Sequence, residues 1–368
     1  MDRALQGMQP RMALRQYARA NDALAYGILF VDILVYFGCV AATILLDSLL
    51  LKSLFALAAG FFIAQLFVIG HDAGHAAYVR SRRANAIIAR LCFMPSMHNY
   101  SLWQFIHNRL HHAFPNVKNY NSWSPLSHTE YRELPKWRQL LERLYRSPAG
   151  FGVYYLSERW LKDKLFPRKH TPHKYHRGAW LDFAVNVLYQ VCLFGGVLIL
   201  SHLSTHGALV SVVFAVFLPF LVWNTAMGLT VYQHHTHPKV QWYQTLVEAR
   251  KASKTQSAVT VYVKYPDWYE FITHNIYIHP VHHVNARIPL YRLRAAQVEY
   301  SRRDSGAFLL EAFSLHGLLK TLRCCKLYDY TRHQWLDFNG EPTTPARSIA
   351  TPAQSAEVIP LRQSSGNR

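Results

Sequence analysis

Histidine is crowded into a few places in this chain. "HDAGH" sets His71 and His75 four residues apart, "HNRLHH" holds His107, His111 and His112, and "HPVHH" holds His279, His282 and His283. A fourth run, "HHTHP", adds His234, His235 and His237. On a helix, residues three or four apart share a face with about 5–6 Å between them, close enough for two imidazoles to hold one ion. Pro280 is compatible with this if the third group opens a helix, where its missing N–H is not needed.

The surrounding residue types narrow the chemistry. Between residues 53 and 129 the only acidic side chain is Asp72, so a carboxylate-bridged site of the Glu-x-x-His type cannot be assembled from the first two groups. Imidazole suits iron, zinc, copper or nickel. One zinc is saturated by about four ligands, so eight or more histidines from three segments imply two ions. A redox centre at a membrane surface favours iron with dioxygen, and zinc stays open on charge and spacing.

The elements that must position these rings are long and apolar. Four stretches, 23–46, 53–70, 181–201 and 208–232, each come near the roughly 20 residues a helix needs to cross about 30 Å of hydrocarbon. They read as two hairpins of spanning helices. Asp32, Asn186 and Asn224 interrupt three of them, as they would in buried helices of a soluble α protein, but the polar face expected every 3.6 residues is missing. Each histidine group lies just past a span or in a segment between spans.

Charge sets the orientation. Lys and Arg outnumber Asp and Glu by 40 to 21, for a formal charge of +19. The hairpin loops 47–52 and 202–207 carry one basic residue, Lys52, whereas 71–180 carries eighteen. By the positive-inside rule both termini, the segment 71–180 and everything after 233 face the cytoplasm. A basic cap over anionic lipid accounts for the charge, and no nucleic-acid motif is present. Within it, 150–169 mixes aromatic and basic residues as an interfacial helix would, or as a helix buried in the cap would.

The fold class expected is therefore an all-α integral membrane protein, four transmembrane helices in two hairpins under a large helical cytoplasmic cap. Its parts are an arm over 1–22, one domain over 23–335 with the cap at 71–180 and 233–335, and a disordered Pro-, Ser- and Thr-rich tail over 336–368. Five cysteines without a C-x-x-C motif suggest a reducing compartment, and the N-terminus has no signal-peptide pattern.

The segments "GHDAGHAAY", "WQFIHNRLHHAFPN", "QHHTHP" and "HNIYIHPVHHVNARIPLYRLRAAQ" together resemble the membrane fatty acid desaturases, in the bacterial and plant-like branch, over roughly residues 20 to 335. The resemblance implies an all-histidine centre of two iron ions held by His71, His75, His107, His111, His112, His279, His282 and His283. The family adds one histidine after the last span; His235 takes that place, with His234, His237 and His274 as alternatives. Relative to the branch, Ala73 replaces the Cys of "HDCGH", and "HHAFPN" stands for "HHxxTN". Asp72, Asn108 and Asn275 are candidates for holding the rings by their second nitrogens. Trp103, Phe105 and Tyr232 lie near the ligands in sequence.

The resemblance further implies an oxidoreductase that uses dioxygen and two electrons to place a double bond in an acyl chain. It would be a multi-pass protein of a bacterial inner membrane, acting on an acyl group carried by glycerolipid, coenzyme A or carrier protein. With no haem domain or cysteine cluster in the chain, the electrons come from a separate donor, ferredoxin or cytochrome b5 with its reductase. Related di-iron proteins hydroxylate, ketolate or form triple bonds, and a metal-binding or transport protein of the membrane is a further reading. Transport would call for ligands at mid-span, and these groups sit at span ends.

Overall fold

The computed structural model describes residues 12–169, 171–252, 256–304 and 306–348. Its frame is four helices long and apolar enough to cross a membrane: α1 (Asp22–Leu45), α2 (Leu49–Gly74), α5 (His173–Leu203) and α6 (Gly207–His235). Between the hairpins lie α3 (Arg82–Phe93) and α4 (Tyr100–Trp103), and beyond them α7 (His279–Val284) and α8 (Leu290–Arg303). Shorter helical pieces fill the remaining segments. The fold is mostly helical, as expected, with two small two-stranded sheets added.

The spanning helices run past the apolar stretches that mark them. Asn21 and Ser48 cap α1 and α2 by accepting from the amides of Leu24 and Leu51. α2 continues through Gly74 and so carries His71 in its last turn. α5 begins at His173, eight residues before the apolar run, and α6 takes in both His234 and His235. Helical hydrogen bonding, not hydropathy, sets where these helices stop.

Polar residues inside the spans turn inward and find partners. Asp32 of α1 meets His274 at 2.6 Å, and Asn186 of α5 donates to the His98 carbonyl at 2.9 Å. Asn224 donates to the Phe220 carbonyl one turn back, at 2.9 Å. At the far end of the bundle the buried Lys52 ammonium donates to the Thr43 and Ile44 carbonyls and to Ser204 Oγ. It thereby satisfies carbonyls at the C-terminus of α1 and ties the two hairpins together. α2 and α6 cross closely at Gly60, where a Cβ would lie 2.7 Å from the Pro219 carbonyl oxygen.

The segments between the spans are pinned to them by buried polar groups. Asp182 of α5 accepts from Arg90 Nε of α3 at 2.7 Å and from the Ser101 amide and hydroxyl of α4 at 2.7 and 2.6 Å. Asn99 caps α4 while donating to the Ala179 carbonyl at 2.6 Å. α4 is thus fixed in depth and rotation against α5.

β1 (Val261–Lys264) pairs in parallel with β2 (Leu309–Ala312), Val261 opposite Leu309. This brings Glu311 to His237. β3 (Leu327–Asp329) pairs antiparallel with β4 (Gln334–Leu336). The chain just after β4 folds back on it: Thr343 N–H donates to the Trp335 carbonyl and Arg347 N–H to that of Arg332. Residues 336–348 therefore have defined structure where composition suggested a tail, and 349–368 lie outside the described residues. Of the N-terminal arm, residues 12–21 are described, with Leu14 fully buried.

The aromatic and basic segment 150–169 packs one face against the rest of the protein. It is helical at Gly150–Tyr154 and π-helical at Tyr155–Lys164, with Tyr155, Trp160 and Lys164 buried. Val153, Leu161 and Phe166 on the same segment are exposed, so it has one packed face and one outward apolar face.

Candidate metal centre

His71 ends α2, with His75 as its C-terminal cap, so the pair projects from one helix end. The second group departs from a simple helix. From Gln104 the chain is π-helical to His111, and the His112 amide donates to the His107 carbonyl, an i to i+5 bond. The widened turn puts positions i, i+4 and i+5 on one face. That is how one segment aims His107, His111 and His112 the same way. His279, His282 and His283 lie on α7, whose Pro280 sits in the first turn.

The nine rings meet in two groups. His71, His75, His107, His112 and His282 each bring a ring nitrogen within 4.8 Å of the others, and His111, His235, His279 and His283 form a second such set. The groups share elements: His111 goes to one and His112 to the other, and α7 divides likewise. They also touch, with the His112 and His283 rings stacked at 4.4 Å.

Nitrogen geometry tests whether a cation fits. His107 Nε2 lies 3.0 Å from His71 Nε2 and 3.1 Å from His112 Nε2, which is 3.2 Å from His282 Nε2. In the second group His279 Nε2 lies 3.0 Å from that of His235 and 2.9 Å from that of His283. Two nitrogens at right angles on one ion at about 2.1 Å lie about 3 Å apart. His71 Nδ1 faces the Asp72 carboxylate at 3.1 Å, and His111 and His235 Nδ1 face the amide oxygens of Asn121 and Asn116 at 2.5 and 2.9 Å. Each Nδ1 therefore carries the proton, and each Nε2 presents a lone pair inward. Lone pairs converging this closely suit metal ions, and the donor set suits iron.

The two amides are themselves oriented. Asn121 Nδ2 donates to the Phe114 and Val117 carbonyls, and Asn116 Nδ2 to those of His235 and Gln241. Their oxygens must then point at the rings. Asn108 and Asn275, singled out from the sequence, turn elsewhere: their amides donate to the carbonyls of Gly74 and Leu290. The only hint of Asn116 and Asn121 in the sequence is closeness to the second group.

Of the alternative ligands, His274 is committed to Asp32, and His237 Nε2 meets Glu311 at 3.0 Å while its Nδ1 accepts from the Lys239 amide. His234 stacks on His279 at 3.8 Å, outside both groups. Trp103 stacks on His107 at 4.5 Å, and a Cβ at Gly74 would strike that indole. Phe105 packs instead on Tyr175, and Tyr232 on Trp123 and Phe151.

The site is largely buried, and the charged side chains lining the adjoining cavity are basic. Burial, with neighbouring imidazoles adding to it, holds His107, His112, His279, His282 and His283 well below the ordinary histidine value, and burial lowers His111 to about 4. A cavity of about 80 Å³ lies against His71, His107, His111, His235 and His279. Arg159 and Lys164 also line it, and burial pushes the Lys164 ammonium down to about 7.

A family model described as fatty acid desaturase matches residues 47–311. The chain belongs to the fatty acid desaturase family. Its relatives are named as desaturases, which are oxidoreductases. It is 28% identical over 269 residues to an omega-6 fatty acid desaturase, chloroplastic, of Glycine max, covering 73% of this chain and 60% of the soybean protein. It is 25% identical over 325 residues to an sn-1 oleoyl-lipid 12-desaturase of Picosynechococcus, covering 88% and 90%. An sn-1 acyl-lipid omega-3 desaturase (ferredoxin) of Nostoc is 27% identical over 274 residues, covering 73% and 72%.

Proposed function

We infer that the chain is a membrane acyl desaturase with two iron ions, one held by His71, His75, His107, His112 and His282, the other by His111, His235, His279 and His283. The observation that carries this reading is the meeting of nine imidazoles in two touching groups, with membership of a desaturase family. The iron pair would supply reductive activation of dioxygen and hydrogen removal. The balance is RCH2CH2R′ + O2 + 2e− + 2H+ → RCH=CHR′ + 2H2O.

The chain's own residues do the rest. Asp72, Asn116 and Asn121 hold three rings in the tautomer that points Nε2 inward. The Trp103 indole braces His107, His71 and His75 by ring contacts. Phe67, Ile106, Met227 and Ile276 give the adjoining cavity apolar walls suited to methylenes.

A relative named as an acyl-lipid omega-3 desaturase (ferredoxin) supports a ferredoxin as the carrier of the two electrons, with a cytochrome b5 and its reductase as the other carrier to test. The basic segment 71–180 supports a cytoplasmic face for the site and both termini, toward that donor.

The test is lipid analysis of cells expressing the chain. New double bonds in the acyl pool that vanish in His111→Ala support the reading. Hydroxylated chains, or an unchanged pool with protein present in the membrane, would count against it.

A further inference from the structure

The four long helices enclose a second cavity, of about 580 Å³, that the histidine site does not use. Its walls include Ile63 of α2, Val191 and Gly195 of α5, Ala215 and Phe217 of α6, and Trp160. Three lining side chains carry polar nitrogen or oxygen atoms, and each makes a hydrogen bond to the protein. Tyr36 accepts from the Tyr189 hydroxyl, Trp160 Nε1 donates to the Ser96 carbonyl, and Gln190 donates to that of Met94. An apolar guest is what such a chamber can hold, because a polar one would go unpaired.

Its opening faces sideways. Val191 and Phe217 line the chamber and are 62% and 56% exposed, on helices of spanning length. With these helices spanning a bilayer, the medium at that rim is lipid acyl chain.

The chamber and the histidine cavity succeed one another along the helices. On α2, Ile63 lines the chamber, Phe67 the histidine cavity, and His71 joins the first ring group; they share a face and span about 12 Å. An aromatic layer stands between. Trp160 meets Phe220 at 5.0 Å, Phe220 meets Trp223 at 5.5 Å, and Trp223 meets Tyr155 at 5.7 Å and Phe67 at 6.1 Å. Three π-helical segments border this path. Val213–Phe217 and Trp160 face the chamber, Tyr155 and Lys164 the histidine cavity, and Gln104–His111 carries ligand candidates. Such turns recur at functional sites.

We propose that this chamber admits, sideways between α5 and α6, the acyl chain of a lipid already in the bilayer, and houses its methyl-end segment. The aromatic layer parts by side-chain rotation to let the chain reach the histidines. This rests on the desaturase reading and names its substrate class, an intact bilayer lipid, not a water-soluble thioester.

Gly195 supplies the test. A Cβ there meets nothing within 4 Å, and the same holds at Gly196, which does not line the chamber. Phe is the better helix former of the two residue types, so neither Gly195→Phe nor Gly196→Phe strains the backbone. The full-length, iron-loaded protein is reconstituted in phosphatidylcholine vesicles doped with a phospholipid bearing a diazirine at its acyl terminus; photoadducts are mapped, and desaturation is read with dioxygen and reduced ferredoxin supplied.

Wild type should be labelled on the chamber residues of 187–195 and 215–220. Gly195→Phe should lose labelling and vesicle-lipid desaturation at least fivefold, and Gly196→Phe should lose neither. Gly195→Leu, with a smaller side chain, should fall between, which guards against misfolding of the Phe variant. Equal labelling in Gly195→Phe and wild type overturns the chamber, as does stronger labelling by a diazirine acyl thioester. Chamber labelling without any double bond formed leaves the chamber standing and removes the desaturase reading.

Discussion

His235 Nδ1 and the side-chain oxygen of Asn116 lie 2.9 Å apart, joining residues 119 positions apart in the chain. The same Asn116 amide donates to the His235 backbone carbonyl, so one buried side chain fixes both the ring and the end of α6. Partners of this kind change metal affinity about 10–100-fold. Asn116→Ala should therefore release one iron before the other, giving a two-step loss on chelator titration where wild type shows a less divided one. Iron content measured against chelator concentration checks this.

Adjacent residues serve different ring groups, which separates two variants that would otherwise look alike. His111→Ala and His112→Ala should each reduce bound iron to about half while abolishing desaturation, because each removes a ligand from one group only. Combining the two should remove nearly all the iron. Elemental analysis of the purified variants tests the division; loss of all metal in either single variant would argue for one shared site.

How much of the fold and site the sequence discloses depends on range. The spans and the histidine groups rest on local pattern, on apolar length and three- or four-residue spacing, and the rings so marked do come together. The π-helical turn at 104–111 is not legible, since a one-residue widening leaves no trace in residue type. Nor is the choice of Asn116 and Asn121 over Asn108 and Asn275. An amide's partner depends on distant chain, here α6 and the loop after the second group. Asp32 looks like an interruption of α1 until His274, 242 residues away, supplies its partner.

That pair gives a prediction of its own. His274 holds a left-handed backbone turn at φ 51° just before α7 and reaches Asp32 in α1. His274→Ala should leave the iron content unchanged and lower stability by roughly 1–3 kcal/mol, the range for stranding a buried hydrogen-bonding group. Thermal unfolding beside iron analysis separates this structural role from ligation.

Acid should destabilise the metal-free protein. The folded state holds His107, His112, His279, His282 and His283 neutral well below the ordinary value and His111 to about 4, whereas the unfolded chain takes up protons near 6.5. Below that value the unfolded state binds more protons, so the histidine contribution to stability is full above it and falls as pH drops toward the folded values. The melting temperature of the apoprotein should fall gently from pH 8 to about 7, where the lowered Lys164 contributes, and more steeply below about 6.5, where the histidines of the unfolded chain take up protons. A flat profile to pH 5 would mean the rings are not buried as neutral imidazoles.

The most direct measurement is iron-edge X-ray absorption on the purified protein, with the metal counted in the same sample. Two irons per chain with strong imidazole multiple scattering, weakened in His112→Ala, is the predicted result. A single zinc, or iron whose spectrum lacks the imidazole pattern, would contradict a paired all-histidine centre.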